Sequence, residues 1–123
     1  MNYTIKEAAK KANISAHTLR YYEKVEVLPP IARDKNGNRL FTNDDITWIS
    51  MVYCLRSTEM PISVIKQYVE LSRKGDQTVS ERRTMMVEHK QRIEKRVSEL
   101  ETFLKQVNDK VEYYDRLHLG SSK

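Results

Sequence analysis

Between residues 78 and 119 the chain has neither glycine nor proline, and apolar residues return there on a seven-residue beat. Lettered as heptads, the d positions are Met86, Ile93, Leu100, Val107 and Tyr114; the a positions are Lys90, Val97, Leu104, Val111 and His118. Apolar a and d positions sustained over about five heptads specify a long helix whose seam another helix must cover. At a rise of about 1.5 Å per residue such a helix runs roughly 60 Å. It is too long to bury its stripe by folding back on the residues before it. A second copy of the chain is the expected cover. This predicts a homodimer whose interface holds Ile93, Val97, Leu100, Leu104, Val107, Val111 and Tyr114. Thr78 and Glu81 have the spacing of a capping box that would open the helix. Residues 76–119 thus read as a coiled-coil dimerisation helix, and 120–123 as a flexible tail.

Residues 1–75 must then form the compact part. Thr4 and Glu7 fit a capping box, and Ile5, Ala8, Ala9 and Ala12 follow at helical spacing. Asn13-Ile14-Ser15 breaks that helix, and Ser15 is a good cap for a second one through Lys24. Two short helices about three residues apart make a helix-turn-helix over about residues 4–24. Pro29-Pro30 closes it. Residues 33–41 carry Asn36-Gly37, the signal for a two-residue type I′ hairpin, with Arg33, Lys35 and Arg39 on its arms. A basic hairpin after a helix-turn-helix is a wing. Thr42 to Asp45 caps a third helix, Pro61 opens a fourth, and Gly75 ends it. The fold class is therefore mainly α, a winged helix-turn-helix head plus a long C-terminal helix.

Charge says where a partner would sit. Residues 1–75 hold 12 basic and 8 acidic groups, a net of +4, against +1 for the remainder. A polyanion would be met by the N-terminal part. The second helix packs His17, Thr18, Arg20 and Tyr21 closely together. One reading is an ordinary amphipathic helix with Leu19 and Tyr22 inward; the other is a helix that lies against nucleic acid. No apolar run resembles a signal peptide or a membrane span, and one cysteine permits no internal disulfide, so a cytoplasmic chain is expected. The acids and histidines form no catalytic constellation and the three glycines no phosphate loop, so no enzyme, metal or other cofactor is expected.

The layout resembles the MerR family of bacterial transcription regulators, on "YTIKEAAKKANISAHTLRYYEK", "LPP", "R…GNRLF" and "LRSTEMPISVIKQYVEL". The resemblance is close over residues 2 to about 71, and "LRYYE" with "NR-L-F" carries most of its specificity. It implies that the second helix enters the major groove of a palindromic promoter element. Arg20 and His17 would then donate to guanine or phosphate, Ser15 and Thr18 would reach base edges or backbone oxygens, and Tyr21 would meet phosphate. Arg33, Lys35, Arg39 and Arg56 would clamp the DNA backbone. The family activates promoters by distorting an over-long spacer for RNA polymerase. Two positions depart from the family's pattern: Glu26 and Glu59 stand where glycine is usual.

By resemblance, the signal would arrive through Cys54. It matches the cysteine of the thiol- and aldehyde-responsive branch of the family, labelled AdhR- or NmlR-like. No cysteine follows it, as metal-sensing members would require, and no appended drug-binding domain is expected. On a helical wheel Ile46, Ile49 and Tyr53 centre the apolar face, and Cys54 falls beside Thr47, Ser50 and Thr58. That placement fits a partly accessible thiol. A reactive cysteine also needs a cation nearby, and Arg56 points nearly the other way. Three functions stay open: a regulator switched by a small electrophile at Cys54, the same regulator with a non-covalent effector or none and a structural Cys54, or a non-specific coiled-coil architectural protein.

Overall fold

The computed structural model describes residues 1–121. It divides into two units, Met1–Met85 and the residues from Met86 onward. In the first, helices α1 (Ile5–Ala12) and α2 (Ala16–Lys24) precede a two-stranded hairpin, β1 (Ala32–Arg33) and β2 (Arg39–Leu40). Helices α3 (Asn43–Ser57) and α4 (Ile62–Arg73) follow, then a 3₁₀ turn, Asp76–Thr78. Helix α5 runs from Val79 to Ser121.

Helices α1, α2 and α3 each start at a side-chain cap that the sequence provides. Thr4 Oγ1 accepts from the Glu7 amide and Glu7 returns a carboxylate to the Thr4 amide, at 3.1 and 2.9 Å. Thr42 and Asp45 repeat that exchange at α3. Ser15 accepts from the Thr18 amide at 3.0 Å. Such a side chain stands in for the intrahelical carbonyl that the first amides lack.

Three helix ends share one device. Asn13, Glu26 and Glu59 have φ of 58°, 61° and 71°. The next amide in each case bonds five residues back: Ile14 to Ala9, Val27 to Tyr22, Met60 to Leu55, at 2.9 to 3.1 Å. This is the Schellman ending, with a left-handed residue followed by an apolar one that turns inward. Val27 and Met60 are completely buried, so each turn feeds the core directly.

The small residues Ala8, Ala9 and Ala12 let α1 pack closely on α2 and α3. Leu19, Tyr22, Phe41, Ile49, Val52, Leu55, Ile65 and Val69 fill the centre. The Trp48 indole N–H donates to the Val27 carbonyl at 3.1 Å, and its ring stacks on Tyr68 with centroids 5.7 Å apart. The buried line of α3 is Ile49, Val52 and Leu55, whereas Tyr53 is 46% exposed. The wheel placed Tyr53 at the apolar centre. It counted side-chain polarity, but the buried face is set by the elements on either side of the helix.

Two local expectations are corrected. Thr78 does not cap α5 with Glu81. It is buried in the 3₁₀ turn, where its hydroxyl lies 2.6 Å from the Leu71 carbonyl and 2.8 Å from that of Gly75. Arg82 donates from Nε to that hydroxyl and from an Nη to the Gly75 carbonyl. The threonine hydroxyl thus adds to the bonds at the carbonyls of Leu71 in α4 and Gly75 just beyond it, instead of capping α5. At the chain's end, Gly120 and Ser121 continue α5, since nothing in Leu117 to Leu119 stops a helix. Residues 122 and 123 lie outside the described residues.

In the second unit the stripe of α5 is solvent-exposed in the single chain. Val97, Leu100, Leu104, Val107, Val111 and Tyr114 are between 47% and 59% exposed, and Ile93 is half-buried.

Candidate nucleic-acid interface

Helix α2 has one buried and one open side. Leu19 and Tyr22 are buried; His17, Arg20, Tyr21 and Lys24 are exposed, at the i, i+3, i+4, i+7 spacing of a single helical face. No side chain among the described residues pairs with the charged ends of Arg20 and Lys24 or with the His17 ring. Lys24 was not among the sequence-predicted contacts, although its spacing from His17, Arg20 and Tyr21 was already visible. Ser15 and Thr18 flank this face and share a hydrogen bond, oxygen to oxygen at 2.9 Å. Their first duty is the cap; each hydroxyl keeps a lone pair for an outside donor.

The wing is not a type I′ hairpin. Its pairing, Ala32 with Leu40 and Arg33 with Arg39, leaves Asp34 to Asn38 as the connection. The Asp34 amide donates to the Asn38 carbonyl at 2.8 Å and the Gly37 amide to the Asp34 carbonyl at 3.0 Å. Of Asn36 and Gly37, Gly37 alone has positive φ, 83°. That is a three-residue loop with a left-handed glycine closing it. Asp34 decides the outcome. Its carboxylate accepts from the amides of Asn36 and Asn38, both at 2.9 Å, which holds Asn36 at negative φ.

Those amide bonds, to Asn38 above all, hold the Asp34 carboxyl below its ordinary value of 3.8. A depressed carboxylate pKa means loop order that is fully present above the unfolded value and lost as pH falls through the folded one. Amide exchange at Asn36 and Asn38 should accelerate together in that acid window; flat exchange there would show that the carboxylate does not hold the loop.

The basic groups of the wing stand in different surroundings. Lys35 is exposed at the loop with no partner among the described residues. Arg33 donates from an Nη to the Gly37 carbonyl at 2.8 Å, bracing the hairpin across its width. Arg39 reaches back to α2, its Nε 2.6 Å from Glu23 Oε1. Arg56 donates to the Met60 carbonyl at 2.9 Å and so fastens the turn between α3 and α4. Three of the four arginines and lysines expected to clamp DNA outside α2 thus also brace the fold, a second role that spacing does not reveal. Burial raises the pKa of Tyr22, in keeping with its inward place beside exposed Tyr21.

Cys54 is exposed on α3. Thr58 lies one turn further, its hydroxyl 2.7 Å from the Cys54 carbonyl. Among the described residues no three His, Cys, Asp or Glu side chains gather as a metal site, and no helix is long and apolar enough to cross a membrane.

Comparison with known proteins agrees with this geometry. Residues 3–72 match the family model for MerR HTH family regulatory proteins. An uncharacterised HTH-type transcriptional regulator of Haemophilus influenzae is 38% identical over 124 aligned residues, covering 100% of this chain and 92% of the relative. The regulator AdhR of Bacillus subtilis is 36% identical over 89 residues, 72% of this chain and 64% of AdhR. Among solved structures, HiNmlR, a MerR family regulator lacking the sensor domain and bound to promoter DNA, superposes with a TM-score of 0.87 at 37% identity, over 94% of this chain and 92% of that one. These relatives are regulators, not enzymes. The chain is a DNA-binding transcriptional regulator and belongs to the MerR family.

Proposed function

We propose that the protein acts as a homodimer that sets the exposed faces of two α2 helices and two wings on a palindromic promoter element and distorts it for RNA polymerase. The observation that carries this reading is the exposed face of His17, Arg20, Tyr21 and Lys24, with no partner among the described residues for the charged ends of Arg20 and Lys24, beside a basic wing. HiNmlR, similar over nearly the whole chain, is bound to promoter DNA. A duplex recovered by selection from random sequence should be palindromic and should be footprinted on both half-sites. Binding indifferent to sequence would instead favour the architectural reading.

Modification of Cys54 by an aldehyde or similar electrophile is the proposed switch. The support is its exposure on the side of α3 turned away from the buried line of Ile49, Val52 and Leu55. A packing role alone would place the thiol inside. Iodoacetamide should label Cys54 in the folded dimer about as readily as in denatured protein. An aldehyde should then change transcription from the selected promoter with the wild type and not with Cys54→Ser. If the thiol is protected until the protein unfolds, the effector acts elsewhere and non-covalently.

A further inference from the structure

Glu23 is the single acid in α2, a helix whose open face would meet phosphates. A carboxylate there should weaken binding to a polyanion unless it has other work. The structure gives it some. Its side chain is 19% exposed, and its Oε1 stands 2.6 Å from Nε of Arg39, itself 31% exposed, the first residue of β2. The two charges form an ion pair that joins elements 16 residues apart in sequence, and no other side chain among the described residues pairs with the Arg39 guanidinium. Elsewhere the wing is braced internally, by Arg33 on Gly37 and by Asp34 on Asn36 and Asn38, and at its base by the pairing of Phe41 with Tyr3. None of those hydrogen bonds reaches α2.

We propose that Glu23 is a positioning residue for DNA binding: its ion pair with Arg39 holds that guanidinium beside α2, so that its N–H groups meet a phosphate at a fixed distance from the face of α2. A guanidinium suits this task because its donors form a rigid fork, one edge of which can be held while another binds. The inference rests on α2 and the wing being the DNA-facing elements.

The test exploits a reversal of sign. Removing a surface acid near DNA ordinarily tightens binding. Removing Glu23 should weaken it, because Arg39 loses its aim. The probe is the fluorescent duplex selected by the wild type, titrated with wild type, Glu23→Ala, Arg39→Gln and the double variant across a salt series. At about 0.1 M salt one phosphate contact is worth roughly eightfold in affinity and about 0.9 in the slope of log K against log salt. Glu23→Ala should lose about that much affinity and flatten the slope by about that amount. The double variant should bind no more weakly than Arg39→Gln. If Glu23→Ala melts below the assay temperature, Glu23→Gln replaces it with the same expected sign. Unchanged or tighter binding by the Glu23 variant, with Arg39→Gln still weakened, overturns the positioning role and leaves the interface standing. If Arg39→Gln binds like the wild type, the wing contact itself is wrong and the positioning role falls with it.

Discussion

With Leu100 and Leu104 replaced by aspartate, the protein is expected to sediment as a monomer and to lose its hold on a palindromic duplex. The two leucines are 49% and 58% exposed in the single chain, at consecutive d and a positions. Burying a leucine completely is worth about 1.5 to 3 kcal/mol, so hiding the exposed half of four such side chains contributes roughly 3 to 6 kcal/mol to association. Aspartate removes that gain and adds charges that the closed seam would have to desolvate. The dimer constant should therefore weaken by at least about a hundredfold. Promoter affinity falls with it, because each head then binds its half-site without the second being tethered nearby. Thr102→Asp, on the same helix but off the stripe, should stay dimeric. A double variant that remains dimeric in sedimentation would show that the stripe is not the interface.

The second large effect is a gain. Glu26→Gly and Glu59→Gly should each stabilise the protein by about 1 kcal/mol, since a side chain with a Cβ is strained at positive φ. Together they should raise the melting temperature by roughly 5 to 10 °C. The ion pair of Glu26 with Lys66, 3.8 Å and largely exposed, contributes too little to offset this. Asn13, at the third such turn, is a residue that tolerates the left-handed region, and replacing it by glycine should change little. A lower melting temperature in either glutamate variant would mean that its side chain holds the turn. Nothing in the structure explains why glutamate stands at these two positions.

Much of the fold was legible because its signals are local and obey one rule each. Thr4 with Glu7, and Thr42 with Asp45, announced helix starts that the structure reproduces bond for bond. The long helix was legible from its heptads, whereas the left-handed turns at Glu26 and Glu59 were not, because glutamate stands there in place of the family's usual glycine. The others that escaped were cases in which two local rules compete. Asn36-Gly37 favours one hairpin, but Asp34 captures the amides of Asn36 and Asn38 and selects another. Thr78 with Glu81 has capping spacing, yet the carbonyls of Leu71 and Gly75 lie closer. In the candidate site, residue types pointed to the charged face, whereas Arg39 bound to Glu23 and Arg56 bound to Met60 arise only when the chain folds. Periodicity ranked Tyr53 as central for the same reason: it cannot see which neighbours arrive.

The amide and carbonyl of Phe41 pair with those of Tyr3, at 2.8 and 2.7 Å, so the residue that follows β2 is zipped to the start of the chain. The wing is in consequence not a portable part. Residues 32–41 transplanted alone into another scaffold would carry their loop but leave an unpaired edge where Tyr3 had been. A chimera that exchanges wings between two relatives must exchange the first residues as well, and the ten-residue hairpin behaves as a unit of inheritance together with a segment encoded some thirty codons before it.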